Sequence, residues 1–202
     1  EQEHILLMGL YQLALIMLAK NDFEASERHC KEALDIMDDY IDPIHTLMWI
    51  YFIQKRYDEA KEVCFKYLEC VEKNLQKESF STLILNKLGS DYEAYYILGE
   101  IAKAESDLAK AKEYIEKSLQ TNPYYWKSYH LLGEIFVEEK NYKVASECFE
   151  NGIKYGYLNA ERYGTVGAKR EDYTAMLNEY REALEKLSLI HISEPTRPLY
   201  TS

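Results

Sequence analysis

Glycine and proline are scarce, at 8 and 4 residues in a chain of 202. A sandwich or barrel of many short strands needs turn residues at regular intervals, so that class is excluded. Basic residues are outnumbered, 24 Lys and Arg against 35 Asp and Glu, giving a formal charge of −11. Nucleic-acid affinity draws on clustered Lys and Arg, and no nucleic-acid partner is expected. The four cysteines (Cys30, Cys64, Cys70, Cys148) form no Cys-x-x-Cys pair and have no histidine at zinc spacing. Three of them fall in helical stripes beside apolar neighbours, where a free thiol behaves as a small hydrophobe. That pattern favours a reducing, cytoplasmic setting. The longest apolar run, Ile5 to Ala19, is interrupted by Gly9 and Gln12 and is shorter than the roughly 20 residues of a membrane span. An acidic Glu1-Gln2-Glu3 start is wrong for a signal peptide, so no membrane partner is expected.

Catalytic patterns are missing too. There is no Gly-rich phosphate loop, no His-Glu-x-x-His and no Gly-x-Ser-x-Gly. The five histidines (His4, His29, His45, His130, His191) are scattered, and the acidic pairs Asp38-Asp39 and Glu138-Glu139 fall at expected helix ends or turns. No catalytic residue, metal site or cofactor is expected of this chain.

What is present is a repeat. Leu98-Gly99-Glu100-Ile101 returns 34 residues later as Leu132-Gly133-Glu134-Ile135, with Tyr95/Tyr129, Glu105/Glu139, Ala111/Ala145 and Glu113/Glu147 in step. The first half keeps the same period through Phe23/Tyr57, Ser26/Ala60 and Cys30/Cys64. Apolar residues recur at helical spacing throughout, which predicts units at about 4–40, 41–74, 92–123 and 124–157, with an imperfect helical cap over 158–186. Turns are expected at Asn21-Asp22, Gln54 to Arg56, Glu105 to Asp107 and Lys140-Asn141. Asp42 reads as an N-cap with Pro43 at the first helical position. Ser90 and Glu93 read as a capping box, and Asn122-Pro123 closes the third unit. The second unit's second helix is expected from about Asp58 to Lys73.

Three stretches break the pattern. Residues 75–91 are an insert that lengthens one period by 17 residues; they read either as a prolonged helix with a bent connection, or as a short amphipathic helix carrying Phe80, Leu83, Ile84 and Leu88. The helix over Ile5 to Ala19 is apolar all round, which predicts burial on every side and, with no initial Met, a segment upstream. In the cap, Ala160 to Ala168 and Glu171 to Lys186 are the expected helices. From Leu187 onward the sequence alternates with period two, and Leu187 to Arg197 resembles a translated transposon-derived adapter from sequencing libraries. Residues 187–202 are therefore read as a non-native tail that packs on nothing, with the true C-terminus missing.

The period and its anchors resemble the tetratricopeptide repeat, most specifically at Tyr95/Tyr129, Leu98/Leu132, Gly99/Gly133 and Ala111/Ala145. The resemblance implies an all-α fold, a right-handed α-α solenoid of about four to five helical hairpins. Gly99 and Ala111 would mark close approach within a hairpin, while Ala14 and Met48 at the Gly position imply wider spacing in the first two units. It further implies a non-catalytic scaffold that binds a protein, peptide or partner helix in a groove lined by the first helices. Tyr11, Leu15, Leu18, His45, Trp49 and Phe52 fall on its N-terminal wall. Tyr96, Glu100, Lys103, Lys127, His130, Glu134 and Val137 fall on its C-terminal wall. The chaperone-tail clamp of some family members is not supported, since Tyr11, Leu15, Thr46, Tyr96 and Glu100 occupy its positions. The spacing of repeats and insert also resembles the repeat tail of bacterial family-2 glycosyltransferases, which would make this an accessory segment with its catalytic domain elsewhere. A peptide-sensing regulator with a separate DNA-binding head is a third reading.

Overall fold

The computed structural model describes residues 2–76, 91–163, 178 and 182–187. Eight helices run through them: α1 (Gln2–Ala19), α2 (Phe23–Ile36), α3 (Ile41–Ile53), α4 (Tyr57–Gln76), α5 (Asp91–Ala104), α6 (Leu108–Thr121), α7 (Trp126–Glu138) and α8 (Tyr142–Tyr163). The described residues contain no strand, as the shortage of turn residues requires. The chain divides into two compact units, residues 1–105 and 106–202. In the first, α1 packs on α2, α2 on α3, α3 on α4 and α4 on α5; in the second, α6 packs on α7 and α7 on α8.

Each expected turn is built around one residue in the left-handed region. These are Asn21 and Lys55 at φ 59°, Ser106 at φ 65° and Lys140 at φ 59°. Three of the turns close as Schellman motifs, which satisfy the orphan carbonyls of a helix end with two backbone donors. Asp22 N donates to Met17 O at 2.9 Å and Asn21 N to Leu18 O at 2.9 Å. Arg56 and Lys55 repeat this on Tyr51 and Phe52 at 2.9 and 3.0 Å, and Asn141 and Lys140 on Phe136 and Val137 at 2.8 and 3.0 Å. The next helix then starts on an aspartate cap in two cases: Asp22 accepts from Ala25 N and Asp107 from Lys110 N, each at 3.0 Å.

The repeat's small residues lie where packing is tightest. Ala60, Ala111 and Ala145 are fully buried, and Ser26, at the same repeat position, donates from Oγ to the Ala14 carbonyl at 2.8 Å. In the first unit it is a hydroxyl on α2 that reaches the α1 backbone. In the second unit, a Cβ added at Gly133 would stand 2.5 Å from Phe149 Cε1. Only glycine allows α7 that close to α8.

Four expectations are corrected. Helix α3 begins at Ile41 with Tyr40 as its N-cap, so Asp42 is a first-turn residue whose carbonyl accepts from Thr46 Oγ1 at 3.1 Å. Pro43 is tolerated inside that turn because first-turn N–H groups have no intrahelical partner. Helix α1 is not buried on all sides, since Ile5 is 70% and Met8 52% exposed. Helix α8 continues unbroken past Tyr157 to Tyr163, so residues 160–163 extend it instead of opening a new helix. Leu187, assigned to a tail that packs on nothing, is buried with Ala145 and Phe149, and Ala183 and Leu184 pack against the same cluster. It continues their helical stripe, a stronger determinant than the alternation that begins with it. Residues 77–90 and 188–202, which include Phe80 to Leu88 and the Ser90 of the capping box, lie outside the described residues.

Candidate partner-binding face

The repeat register sets which side chains share a face. His45, Trp49 and Phe52 on α3 correspond to Tyr96, Glu100 and Lys103 on α5, and to His130, Glu134 and Val137 on α7. Tyr11, Leu15 and Leu18 hold these positions on α1. All twelve residues expected to line the groove from Tyr11 to Glu134 are partly buried, a state that leaves surface for a ligand while fixing the side chain.

In the first unit, α3 and α5 bring an aromatic group together. The Trp49 ring lies 6.0 Å from Phe52, edge-on, and 6.4 Å from Tyr96, tilted by 35°. Both are distances at which aromatic pairs attract beyond their buried area. One carboxylate ties the group down. Glu93 Oε2 accepts from His45 Nε2 at 2.6 Å and from Trp49 Nε1 at 3.3 Å. The His45 ring also lies 5.6 Å from Tyr67 on α4, and the Tyr96 hydroxyl donates to Glu100. The result is a fixed indole with an acidic edge.

On α1, Tyr11 stands 5.8 Å from Tyr40, and burial, against a hydrogen bond with Thr46, pushes its phenol above the usual tyrosine range. In the second unit the register positions are occupied differently. Lys127 Nζ sits 5.8 Å from the Trp126 ring. His130 lies 5.6 Å from Phe149, with its Nδ1 3.9 Å from Glu134 Oε1. Within the first unit the structure thus brings His45, Trp49, Phe52 and Tyr96 into one cluster, and within the second it sets His130 beside Glu134 as a more polar one.

Glu93 is the residue that sequence reasoning missed. Reading it as the far end of a capping box removed it from the face. The correct signal was the repeat itself, because Glu93 stands 34 residues before Lys127, which the register had already placed on that face.

Among the described residues no group of three His, Cys, Asp or Glu is placed to hold a metal. None of their helices is long and apolar enough to cross a membrane.

Residues 92–125 and 127–155 match the family model of the tetratricopeptide repeat. Those two stretches are tetratricopeptide repeats. Comparison with curated proteins gives no match. Among solved structures, MamA is 19% identical over 91% of this chain and 94% of its own, with a TM-score of 0.57. YrrB, described as a TPR protein with an unusual peptide-binding site, is 15% identical over 92% and 91%, with a TM-score of 0.55. An O-GlcNAc transferase from Thermobaculum terrenum is 16% identical over 81% of this chain and 27% of its own, with a TM-score of 0.57. These likenesses establish an all-α fold of tetratricopeptide type. Repeats of this family serve as protein-interaction scaffolds.

Proposed function

We propose that α3 and α5 form a docking face for a peptide or partner helix, with Trp49, Phe52 and Tyr96 as its anchors. The observation that carries this reading is the fixing of Trp49: its ring contacts two other aromatics while its N–H is held by Glu93. A pre-ordered aromatic group loses little conformational freedom on binding, so more of the contact energy is realised as affinity. Tyr and Trp anchors of this kind commonly dominate interfaces. Glu93 and Glu100 give the face an acidic edge, in keeping with the charge of −11, and the ligand it suits presents apolar side chains on an uncharged segment. YrrB offers a precedent for peptide binding on this fold, at a site of its own.

The test is to select peptides from a displayed library against the whole chain and measure their affinities. Trp49→Ala should weaken the selected peptides by about 2 kcal/mol, roughly thirtyfold. Glu134→Ala, in the polar cluster, should change affinity less than about twofold. Raising salt from 50 to 500 mM should have little effect, since apolar contact is not screened. Peptides that are insensitive to Trp49→Ala but lose affinity steeply with salt would move the function to the charged cluster and refute the reading.

A further inference from the structure

Helices α2, α4 and α6 each carry, at one repeat position, a charge that reaches the next hairpin. Residues 27, 61 and 112 share that position, each directly after the buried small residue Ser26, Ala60 or Ala111. Lys61 on α4 donates to Glu105, just past α5, at 2.8 Å, and Lys112 on α6 donates to Glu139, just past α7, at 2.6 Å. Glu105 and Glu139 are themselves repeat equivalents. Between α2 and α3 the same link runs backwards. Glu27 supplies the carboxylate and Arg56, past α3, the cation, at 2.5 and 3.2 Å. The position of Glu105 and Glu139 is held there by the neutral Gln54.

An aromatic ring marks the seat of the cation. Tyr51 and Phe136 share one repeat position. Lys112 Nζ lies 5.6 Å from the Phe136 ring and the Arg56 guanidinium 4.3 Å from the Tyr51 ring, both within cation–π range. The cation sits over the ring in each case, but its source differs. In the second unit it comes from α6, the preceding helix; in the first it comes from the hairpin that bears the ring. Positions 27, 54 and 56 differ together to produce this reversal.

Pairs of this kind do little for stability. Lys61 and Glu105 are 32% and 47% exposed, Lys112 and Glu139 29% and 32%, and exposed ion pairs are worth little. What charge contributes is choice of partner, by opposing like charges in a wrong pairing. With α2 seated on α5, Glu27 would face Glu105. With α4 seated on α3, Lys61 would face Arg56.

We propose that the reversed ion pair keys the order of the hairpins in the first unit. It lets α2 seat on α3 and α4 on α5, and sets like charges against the exchange of either helix between copies of the chain. Chains built of similar repeats misassemble by such exchange. The device is independent of the Trp49 face.

The test reverses the second pair to match the first, as Lys61→Glu with Glu105→Lys. Equal amounts of isotope-labelled and unlabelled chain are refolded together from urea, and native mass spectrometry measures mixed dimers. The parent chain should give few. The reversed variant keeps a pair of its own and should melt within a few degrees of the parent, yet give at least about fivefold more mixed dimer. Glu105→Lys alone, at the more exposed position, offers Glu27 a partner past α5 and should raise mixed dimer as well. Lys61→Gln with Glu105→Gln removes the pair without offering Glu27 or Arg56 a new one, and should stay near the parent level. The proposal is overturned if neither charge-reversed variant yields more mixed dimer than the parent. It is equally overturned if the neutral variant yields as much as the reversed one, because lost stability and not polarity would then set the exchange.

Discussion

Gly9 and Gly133 are both helical glycines, and one substitution should act on them in opposite directions. Alanine is favoured over glycine within a helix by about 0.8–1 kcal/mol. At Gly9 nothing stands within 4 Å of the new methyl group, so Gly9→Ala should raise stability by roughly that amount. At Gly133 the methyl group would lie 2.5 Å from the ring of Phe149, itself only 2% exposed. Overpacking of this kind costs about 1–3 kcal/mol, against the roughly 1 kcal/mol that propensity returns, so Gly133→Ala should lose up to about 2 kcal/mol of stability. Urea denaturation of the two variants checks both signs. The importance of Gly133 was legible in the sequence because Gly99 stands at the same repeat position. The role of Glu93 was not, because a glutamate near a helix start satisfies two patterns at once, and only the fold shows that its carboxylate turns to His45 and Trp49.

Elements in the first unit are tied by Glu27 on α2. It accepts from Tyr51 on α3 at 3.1 Å, from Lys31 at 2.7 Å and from both terminal nitrogens of Arg56, which opens α4. The Arg56 guanidinium also stacks 4.3 Å from the Tyr51 ring. Burial alone would raise the Glu27 carboxyl, but the hydrogen bonds from Arg56, Lys31 and Tyr51 outweigh it and hold it at about 2, against an ordinary 4.5. A folded-state pKa below the unfolded one adds stability above pH 4.5, and that stability is lost as pH falls toward 2. Glu27→Gln should therefore cost about 1–2 kcal/mol at pH 7, allowing for partial solvent screening. The gap between variant and parent melting temperatures should narrow below pH 4.5. A gap constant with pH would assign the loss to packing. Helices and turns were legible in the sequence because period and polarity define them, whereas their ends were not. Pro43 fits any first-turn position, and Leu187 belongs by spacing to both a helical stripe and an alternating run.

For the chain as a whole, the cysteines report on both units. Cys30, Cys64 and Cys70 lie in the first and Cys148 in the second, all free and buried. Burial pushes Cys30 and Cys64 up to about 12 and Cys148 to about 11. The thiolate is the reactive form, so at pH 8 a thiol reagent should modify Cys30, Cys64 and Cys148 at least about a hundredfold more slowly in the native chain than in urea, and Cys70 more slowly too. Mass spectrometry of the labelled peptides would show any site that breaks this rule. The left-handed turn residues supply a second whole-chain measure. Asn21 and Lys55 are 34 residues apart, Ser106 and Lys140 again 34, and Lys55 and Ser106 51. Each residue added inside a helix turns everything after it by about 100°, so a single insertion there would rotate Trp49 or Gly133 off its face. The tolerated 17 extra residues fall between two turns, leaving the angular phase of each hairpin intact. In its history of gains and losses, such a chain can change length freely between hairpins and hardly at all within them.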